Sequence, residues 1–314
     1  MSATHIRSRQ CAVLVAWAIA IAQPRPMAQS DALFSFHSNV WLNLHHILWS
    51  KGEGAPLPAD MPEAERTAWA AGIELYAPYS KRNLIFDEEL IRIKEALRTA
   101  EGKTSLDGLA IDSGVKATLE RLMPIYRKHW WPAHDRTNRE WIAAARPLVD
   151  RHGSALNQAI ARAYDVTMPD NPVWVDVSVR AHPLGAYEAG PVTHVMISSV
   201  DPSYRGYAAL EMLFHERSHA WGNVLAQPIF AAAKEQGVSV PPQLPHAVLF
   251  YTAGELTARE LKANGIDYAH YAQRIYANMC GAGCQDKMAY QWTPHLDGKR
   301  SIVESLSALV AAFK

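Results

Sequence analysis

The sequence has few cysteines and no excess of charge of either sign. Its 314 residues contain 3 cysteines, with 31 Lys and Arg against 31 Asp and Glu. Three cysteines are too few for a disulfide scaffold, and a formal net charge of zero gives no electrostatic basis for nucleic-acid binding. With 49% hydrophobic and 20% charged residues, the composition is far from that of disordered chains. The sequence therefore predicts a folded globular protein, either an enzyme or a binding module.

The sequence also lacks, at its N-terminus, a hydrophobic run long enough to cross a bilayer. Arg7 and Arg9 precede an apolar run from Cys11 to Ala22 that ends in the small-residue sequence Ala-Ile-Ala. This is the pattern of a signal peptide, whereas a transmembrane helix needs about 20 apolar residues. A retained membrane anchor is the weaker alternative. We expect cleavage of residues 1–22 near Ala22 and export of the mature protein to the periplasm or the medium, with no stable membrane anchor.

Export would leave two cysteines in the mature chain, Cys280 and Cys284, in the sequence Cys-Gly-Ala-Gly-Cys. In an oxidising compartment we expect a disulfide across this short glycine-containing loop. A two-cysteine metal site is the alternative, but the mature chain has no further cysteine to complete it. The spacing also differs from the C-x-x-C redox motif. We therefore interpret the pair as a structural disulfide.

The region from residue 23 to residue 168 is predicted to be helical. Apolar residues from Phe34 to Leu48, including Phe36, recur at three- and four-residue steps. Helical patterns continue to about Asp165, with a break at Trp130-Trp131-Pro132 because proline interrupts helical hydrogen bonding. After this break, separate helices are expected at residues 137–149 and 154–164.

The pattern changes near residue 168, where the second predicted region, residues 169–314, begins. Alternating apolar and polar residues predict strands at residues 173–179 and 193–200. A helix is expected next, from Tyr207 to Trp221. The predicted fold class is therefore α+β, mostly helical, with a small sheet that precedes this helix.

The predicted helix from Tyr207 carries the sequence His215-Glu216-Arg217-Ser218-His219. Histidines at i and i+4 lie about 40° apart on one helical face, so both imidazoles can reach one tetrahedral metal ion. Glu216 follows the first histidine, where its carboxylate can take a proton from a zinc-activated water. The alternative is a pair of core histidines with local hydrogen bonds. We interpret His215 and His219 as zinc ligands and Glu216 as a general base.

A zinc site needs a third protein ligand, for which Glu255 is the strongest candidate. Glu255 lies in an apolar helical segment 36 residues after His219, where a carboxylate needs a compensating partner. Leu225 occupies the position of the third histidine in H-E-x-x-H-x-x-G-x-x-H, and leucine cannot bind zinc. Glu235 lies in a polar stretch and is expected to be solvated. The alternative role for Glu255 is a buried salt bridge to Arg259 or Arg217.

The remaining polar candidates have weaker signals. Glu260 is expected to pair with Arg259 or Lys262, and His45 and His46 to be structural. His246 is either a partner that supports a zinc ligand or merely a residue at a helix start. Four residues are candidates for stabilising a developing oxyanion, although tyrosines and histidines on such helices are more often packing or surface residues: Tyr251, His270, Tyr271 and His295.

The motif from His215 to His219, followed by Glu255 on a later helix, resembles the gluzincin group of zinc metallopeptidases. The resemblance implies a zincin-like fold in which residues 169–314 form the catalytic region. It also implies that the strand at residues 193–200 is an edge strand of the active site, able to pair with an extended peptide. Zn²⁺ is the expected cofactor, and a peptide or protein is the expected substrate.

Three functions follow as expectations. The leading one is an exported zinc peptidase that hydrolyses peptide bonds with Glu216 as the base. The second is a zincin-like protein in which the site has a structural or binding role without peptidase activity. The third is a zinc hydrolase that acts on amides other than peptides.

Overall fold

The computed structural model describes residues 33–191 and 193–314. Within these residues, helices are the main elements and four strands form one small sheet, which confirms the predicted α+β class. The predicted signal peptide, residues 1–22, lies outside the described residues. Among the described helices, none combines the length and the apolar character that a membrane crossing requires.

The sheet brings together strands from both predicted regions. Its strands are β1 (Phe34–His37), β2 (Val173–Ser178), β3 (Ala186–Glu188) and β4 (His194–Ser198). Their order is β1-β2-β4-β3; β2 is parallel to β1 and β4, whereas β3 runs antiparallel to β4. The paired residues Val175 and Val195 are fully buried, as expected for central strands rich in β-branched residues. The strands predicted after residue 168 are therefore confirmed, with slightly shorter bounds.

Two sequence predictions about the sheet are wrong. The segment from Phe34 to His37 is a strand and not part of a helix, because it pairs with β2 and buries Phe34 against the ring of Phe214. The helix begins only after Asn39, whose side chain accepts a hydrogen bond from the Trp41 amide at 2.9 Å. The strand predicted to be an active-site edge lies inside the sheet as β4, since β3 covers its free side.

Five α-helices lie between β1 and β2 along the chain: α1 (Val40–Trp49), α2 (Glu63–Tyr76), α3 (Glu88–Arg98), α4 (Ser113–His129) and α5 (Trp131–Tyr164). The first four pack around the side chains of Trp41 and Trp69 in what we call the second core, whereas α5 packs in the main core through residues such as Trp141 and Ile160. The two helices predicted after Pro132 are one continuous helix, α5. Gly153 lies between the two predicted segments, and a Cβ atom there would meet Leu33 at 2.9 Å. The glycine therefore permits close packing and does not end the helix.

The helices after the sheet surround α6, which lies in the main core. They are α6 (Tyr207–Ser218), α7 (Gly222–Gln236), α8 (Leu244–Ala263), α9 (Tyr276–Cys280), α10 (Cys284–Gln291), α11 (Thr293–Leu296) and α12 (Ile302–Ala311). All residues of α6 from Ala209 to Ser218 are buried. A 3₁₀ turn, His219–Trp221, joins α6 to α7 within the predicted helix. Cys280 and Cys284 lie at disulfide-bonding distance and connect α9 to α10.

Candidate metal centre

Three histidines from two neighbouring helices converge on one point. His215 lies in the last turn of α6, and His219 opens the 3₁₀ turn that follows. His246 lies in the first turn of α8, which begins at Leu244 with Pro245 in its first turn. Proline at that position suits a helix start because its missing amide hydrogen would have no helical partner. Because α8 begins at this point, the side chain of His246 lies beside the motif on α6.

The Nε2 atoms of the three imidazoles form a nearly equilateral triangle. Each of the three distances, between His215 and His219, His219 and His246, and His246 and His215, is 3.2 Å. Zinc–nitrogen bonds of about 2.0–2.1 Å at tetrahedral angles place ligand nitrogens about 3.3–3.4 Å apart. Among the described residues, this is the one group of three or more His, Cys, Asp or Glu side chains with ligand atoms so close together. The spacing fits a single metal ion.

Neighbouring side chains fix the orientation of the imidazole rings. The Nδ1 atom of His246 lies 3.3 Å from Gln243 Oε1, and donation to this oxygen leaves the Nε2 lone pair free to face the cluster. The ring of His215 stacks on the ring of Phe250, with centroids 3.5 Å apart. These contacts hold the Nε2 atoms of His246 and His215 towards the cluster.

Burial keeps the three histidines in the neutral form that binds metals. Desolvation lowers the pKa of His215 well below its ordinary value, and the positive charge of neighbouring histidines acts in the same direction. Burial also lowers the pKa of His219 to about 3 and that of His246 to about 4. Three neutral imidazoles whose nitrogens face one another cannot all be satisfied by a shared proton, whereas a cation satisfies all three.

Glu216 is a buried carboxylate beside this cluster. Its side chain is 5% exposed, and its Oε2 atom has no hydrogen-bond partner among the described residues. Burial, reinforced by the charge of Glu188, raises the pKa of Glu216 to about 8, while the Lys94 ammonium and the Glu188 backbone amide oppose this rise. A buried acid without a partner is costly unless water, substrate or a cation reaches it. The position is suitable for a group that exchanges a proton.

Glu255, the predicted third ligand, is held elsewhere by an ion pair. Its Oε1 atom lies 2.7 Å from Arg259 Nε, and its Oε2 atom lies 3.2 Å from His270 Nε2. Because Glu255 follows His246 by nine residues on α8, a helical rise of about 13 Å separates them along the axis. The structure therefore brings His246, and not Glu255, together with the motif. The salt bridge to Arg259 was the alternative that the sequence left open.

Two of the four oxyanion candidates make hydrogen bonds to parts of the chain outside the cluster. The hydroxyl of Tyr251 lies 2.9 Å from Thr293 Oγ1. His295 contacts backbone carbonyl oxygens through both ring nitrogens, with Nε2 2.8 Å from the oxygen of Ala163. These contacts join α8 and α5 to the C-terminal helices and give both side chains a structural role.

The other two candidates lie on the segment that follows α8. His270 binds Glu255 as described, and the Tyr271 hydroxyl donates to the Tyr204 hydroxyl at 3.2 Å. The Tyr271 amide also donates to the carboxylate of Glu211, one turn before His215 on α6, at 2.9 Å. This segment is therefore anchored to α6, the helix that carries His215.

The weaker sequence interpretations have mixed outcomes. Glu260 lies 3.0 Å from His152 Nδ1 and not beside Arg259 or Lys262, so its predicted pairing is wrong. His45 and His46 are buried and hydrogen-bonded within the second core, as expected for structural residues. Glu235 is exposed and Leu225 is fully buried.

Sequence reasoning named His246 only as a partner of a zinc ligand or a residue at a helix start, and it did not single out Glu188. His246 had a signal, because a histidine in the first turn of an otherwise buried helix needs a partner. Glu188 had almost none, because its strand is three residues long and follows a Pro-Leu-Gly turn. Its Oε2 atom lies 3.9 Å from His219 Nδ1. Only the antiparallel pairing of β3 with β4 brings Glu188 to this place.

Comparison with protein-family models, with curated proteins and with solved structures gave no match. The chemistry of the cluster consequently follows from its own residues. Three converging imidazoles and one buried carboxylate form an arrangement that can hold a metal ion and move a proton beside it.

Proposed function

We propose that this chain is an exported zinc-dependent peptidase with His215, His219 and His246 as metal ligands. The observation that carries the proposal is the triangle of Nε2 atoms, each 3.2 Å from the other two, on helices α6 and α8. A third histidine departs from the gluzincin pattern, in which the third ligand is a glutamate. The proposed site is thus a three-histidine centre on a zincin-like helical core.

The ligand set supports zinc among the first-row metals. Neutral imidazole nitrogens suit zinc, and three protein ligands leave a fourth tetrahedral position for water or substrate. When bound, zinc would supply a Lewis acid that polarises a carbonyl group and lowers the pKa of water. The chain contributes the shape of the site, since Gln243 and Phe250 orient two of the rings.

Glu216 is the proposed general base and general acid. Its carboxylate takes a proton from the attacking water and then delivers it to the leaving amine of the cleaved peptide. Burial favours this exchange, because it raises the pKa of Glu216 to about 8, closer to neutral pH than the ordinary value of a glutamate. Its partner-free Oε2 atom is the acceptor for that proton.

Export and a peptide or protein substrate belong to the same proposal. The signal-peptide pattern of residues 1–22 supports export, and a disulfide between Cys280 and Cys284 suits an oxidising compartment. Hydrolysis of a peptide bond requires a proton for the leaving amine, and the proposed role of Glu216 supplies that proton. Because the formal net charge is zero, the proposal includes no nucleic-acid partner.

Metal content and hydrolysis test the proposal together. The purified mature chain should contain one zinc per molecule and cleave a peptide library, and o-phenanthroline should abolish cleavage until zinc is restored. Glu216→Gln should keep the zinc and lose about 100- to 10,000-fold in kcat. His129→Ala, which alters a histidine on α4 paired with Glu65, is the matched control and should keep both properties.

The alternatives give different results in the same experiment. Stoichiometric zinc without cleavage of any peptide would favour a structural or binding role for the site. Cleavage of small amides but not of peptides would favour a different class of zinc hydrolase. Absence of bound zinc would contradict all three functions.

A further inference from the structure

Lys94 is a fully buried lysine whose polar contacts all lie near the candidate metal centre or on its own helix. Its side chain is 1% exposed, and its ammonium group donates to the carbonyl oxygens of Ala189 and His194, the latter at 3.0 Å. The carboxylate of Glu95 lies 3.4 Å away. Burying an ammonium group is costly, so an apolar residue would fill this space more favourably. The charge therefore points to a purpose other than packing.

The two carbonyl groups that Lys94 binds lie at the end of β3, next to Glu188, and at the start of β4, the strand that pairs with β3. Ala189 follows Glu188, the last residue of β3, and His194 is the first residue of β4. Strand β3 has three residues and pairs on one side only, with β4, so its own hydrogen bonds fix its end weakly. Lys94 binds both strands at this end and thereby fixes the position of Glu188.

Glu188 in turn faces the outer nitrogen of a proposed zinc ligand. Its Oε2 atom lies 3.9 Å from His219 Nδ1, and its side chain is 16% exposed. Glu216 Oε2 is nearer to the same nitrogen, at 3.4 Å, and neither carboxylate makes a hydrogen bond with it. As the proposed base, Glu216 has to face water and substrate. Glu188 is the carboxylate that remains for orienting His219.

We infer that Glu188 is a positioning residue for the zinc ligand His219 and that Lys94 holds Glu188 in place. A carboxylate on the outer nitrogen of a zinc-bound histidine fixes the ring orientation and makes the imidazole a stronger ligand. Lys94 acts on this carboxylate through the backbone, because its hydrogen bonds to the carbonyl oxygens of Ala189 and His194 fix the end of β3. The inference rests on the proposed function, because it requires His219 to bind a metal.

Zinc affinity, measured by competition with a chromophoric chelator, tests this role without depending on activity. Glu188→Gln keeps the size of the side chain and removes its charge, and zinc affinity should fall about 10- to 100-fold. Lys94→Met should cause a fall of similar size. The double variant should bind zinc about as weakly as either single variant, because the two residues act through one contact.

Three further variants make the test decisive. Lys94→Leu also removes the donors for the two carbonyl groups and takes the place of Lys94→Met if that chain does not fold. Ile93→Val, at a buried neighbour on α3, lowers stability without altering these contacts and should keep the wild-type affinity. Lys128→Met removes a positive charge on α4 that pairs with Glu65, and should also keep it.

Two results would overturn the inference and leave the proposed function intact. One is wild-type zinc affinity in Glu188→Gln, and the other is a double variant whose loss is the product of the two single losses. A wild-type chain that binds no zinc would instead reject the proposed function, and the inference with it. A reduced affinity in Glu188→Gln and in the Lys94 variant, with unchanged controls, supports the role.

Discussion

The Nε2 atoms of His215 and His246 lie 3.2 Å apart, although 31 residues separate the two histidines along the chain. The first residue lies at the end of α6 and the second at the start of α8, so the contact fixes the relative position of these helix ends. The ring of His215 stacks on Phe250, and the ring of His246 is tilted against the same side chain, with centroids 4.9 Å apart. A metal ion bound here would cross-link two helices that already pack together.

Zinc should therefore raise the thermal stability of the wild-type chain. At 100 times the dissociation constant, a ligand that binds only the folded state stabilises it by about 2.7 kcal/mol. His246→Ala removes one of three ligands, and the zinc-induced rise in Tm should disappear. His295→Ala, which removes hydrogen bonds to backbone carbonyls on α5 and beyond α11, is the control and should keep the rise. Equal rises in the wild-type and His246→Ala chains would exclude His246 as a ligand.

Glu255→Ala should leave zinc binding unchanged. The Glu255 carboxylate is paired with Arg259 and His270, and its side chain is 22% exposed. The change should cost about 1 kcal/mol or less of unfolding free energy, because a partly exposed ion pair contributes little. Elemental analysis and chemical denaturation measure the two effects. Loss of zinc from this variant would restore Glu255 as the third ligand.

The unfolding free energy should fall as the pH drops from 6.5 towards 4. Burial lowers the pKa of His46 to about 4, so the unfolded chain takes up a proton before the folded chain does. The stability that depends on neutral His46 is present above pH 6.5 and is lost as the pH falls to 4, by about 3 kcal/mol. Urea denaturation of the wild type and of His46→Gln measures this contribution as the difference between their pH profiles. Parallel profiles would show that His46 does not contribute.

Gly72→Ala should destabilise the second core. Gly72 lies in α2, and an added Cβ atom would meet Leu122 Cδ1 of α4 at 2.2 Å. Overpacking of this kind costs about 1–3 kcal/mol. Gly222→Ala is the matched control: its Cβ atom would meet nothing nearer than 3.9 Å, and the unfolding free energy should rise by about 0.4–1 kcal/mol. In a Leu122→Ala chain the contact is absent. Gly72→Ala should therefore lower the unfolding free energy less in that chain than in the wild type.

The sequence predicted the elements that local patterns encode. The alternation from Val173 to Ser178 gave β2 nearly to the residue, and the spacing of His215 and His219 gave two members of the histidine cluster. Both are short-range features, since pleat and helical pitch alone decide which side chains share a face. The residues around Phe34 satisfied two periodicities at once, and pairing with a strand distant in sequence decided between them.

The third histidine could not be chosen from the sequence, because the choice depends on which turn of α8 packs against the end of α6. His246 and Glu255 both lie on α8 in otherwise apolar surroundings, and nothing local distinguishes the turn that meets the motif. Glu188 and Lys94 depend on still longer-range packing, since α3 and β3 are almost a hundred residues apart in the sequence. A burial argument alone favoured Glu255, but Arg259 and His270 already compensate its charge.

The burial of α6 from Ala209 to Ser218 has a consequence for metal selection. A helix so enclosed cannot rearrange to suit ions of different size, so the position of His215 is set by the core. A chain with the proposed metal site could thus fold first and bind an ion afterwards, without the loss of conformational entropy that a site on mobile loops undergoes when it binds its ion. Selectivity between metals would then depend on how well each ion fits three nitrogen ligands at fixed positions. Exchange of one ion for another should proceed in the folded protein.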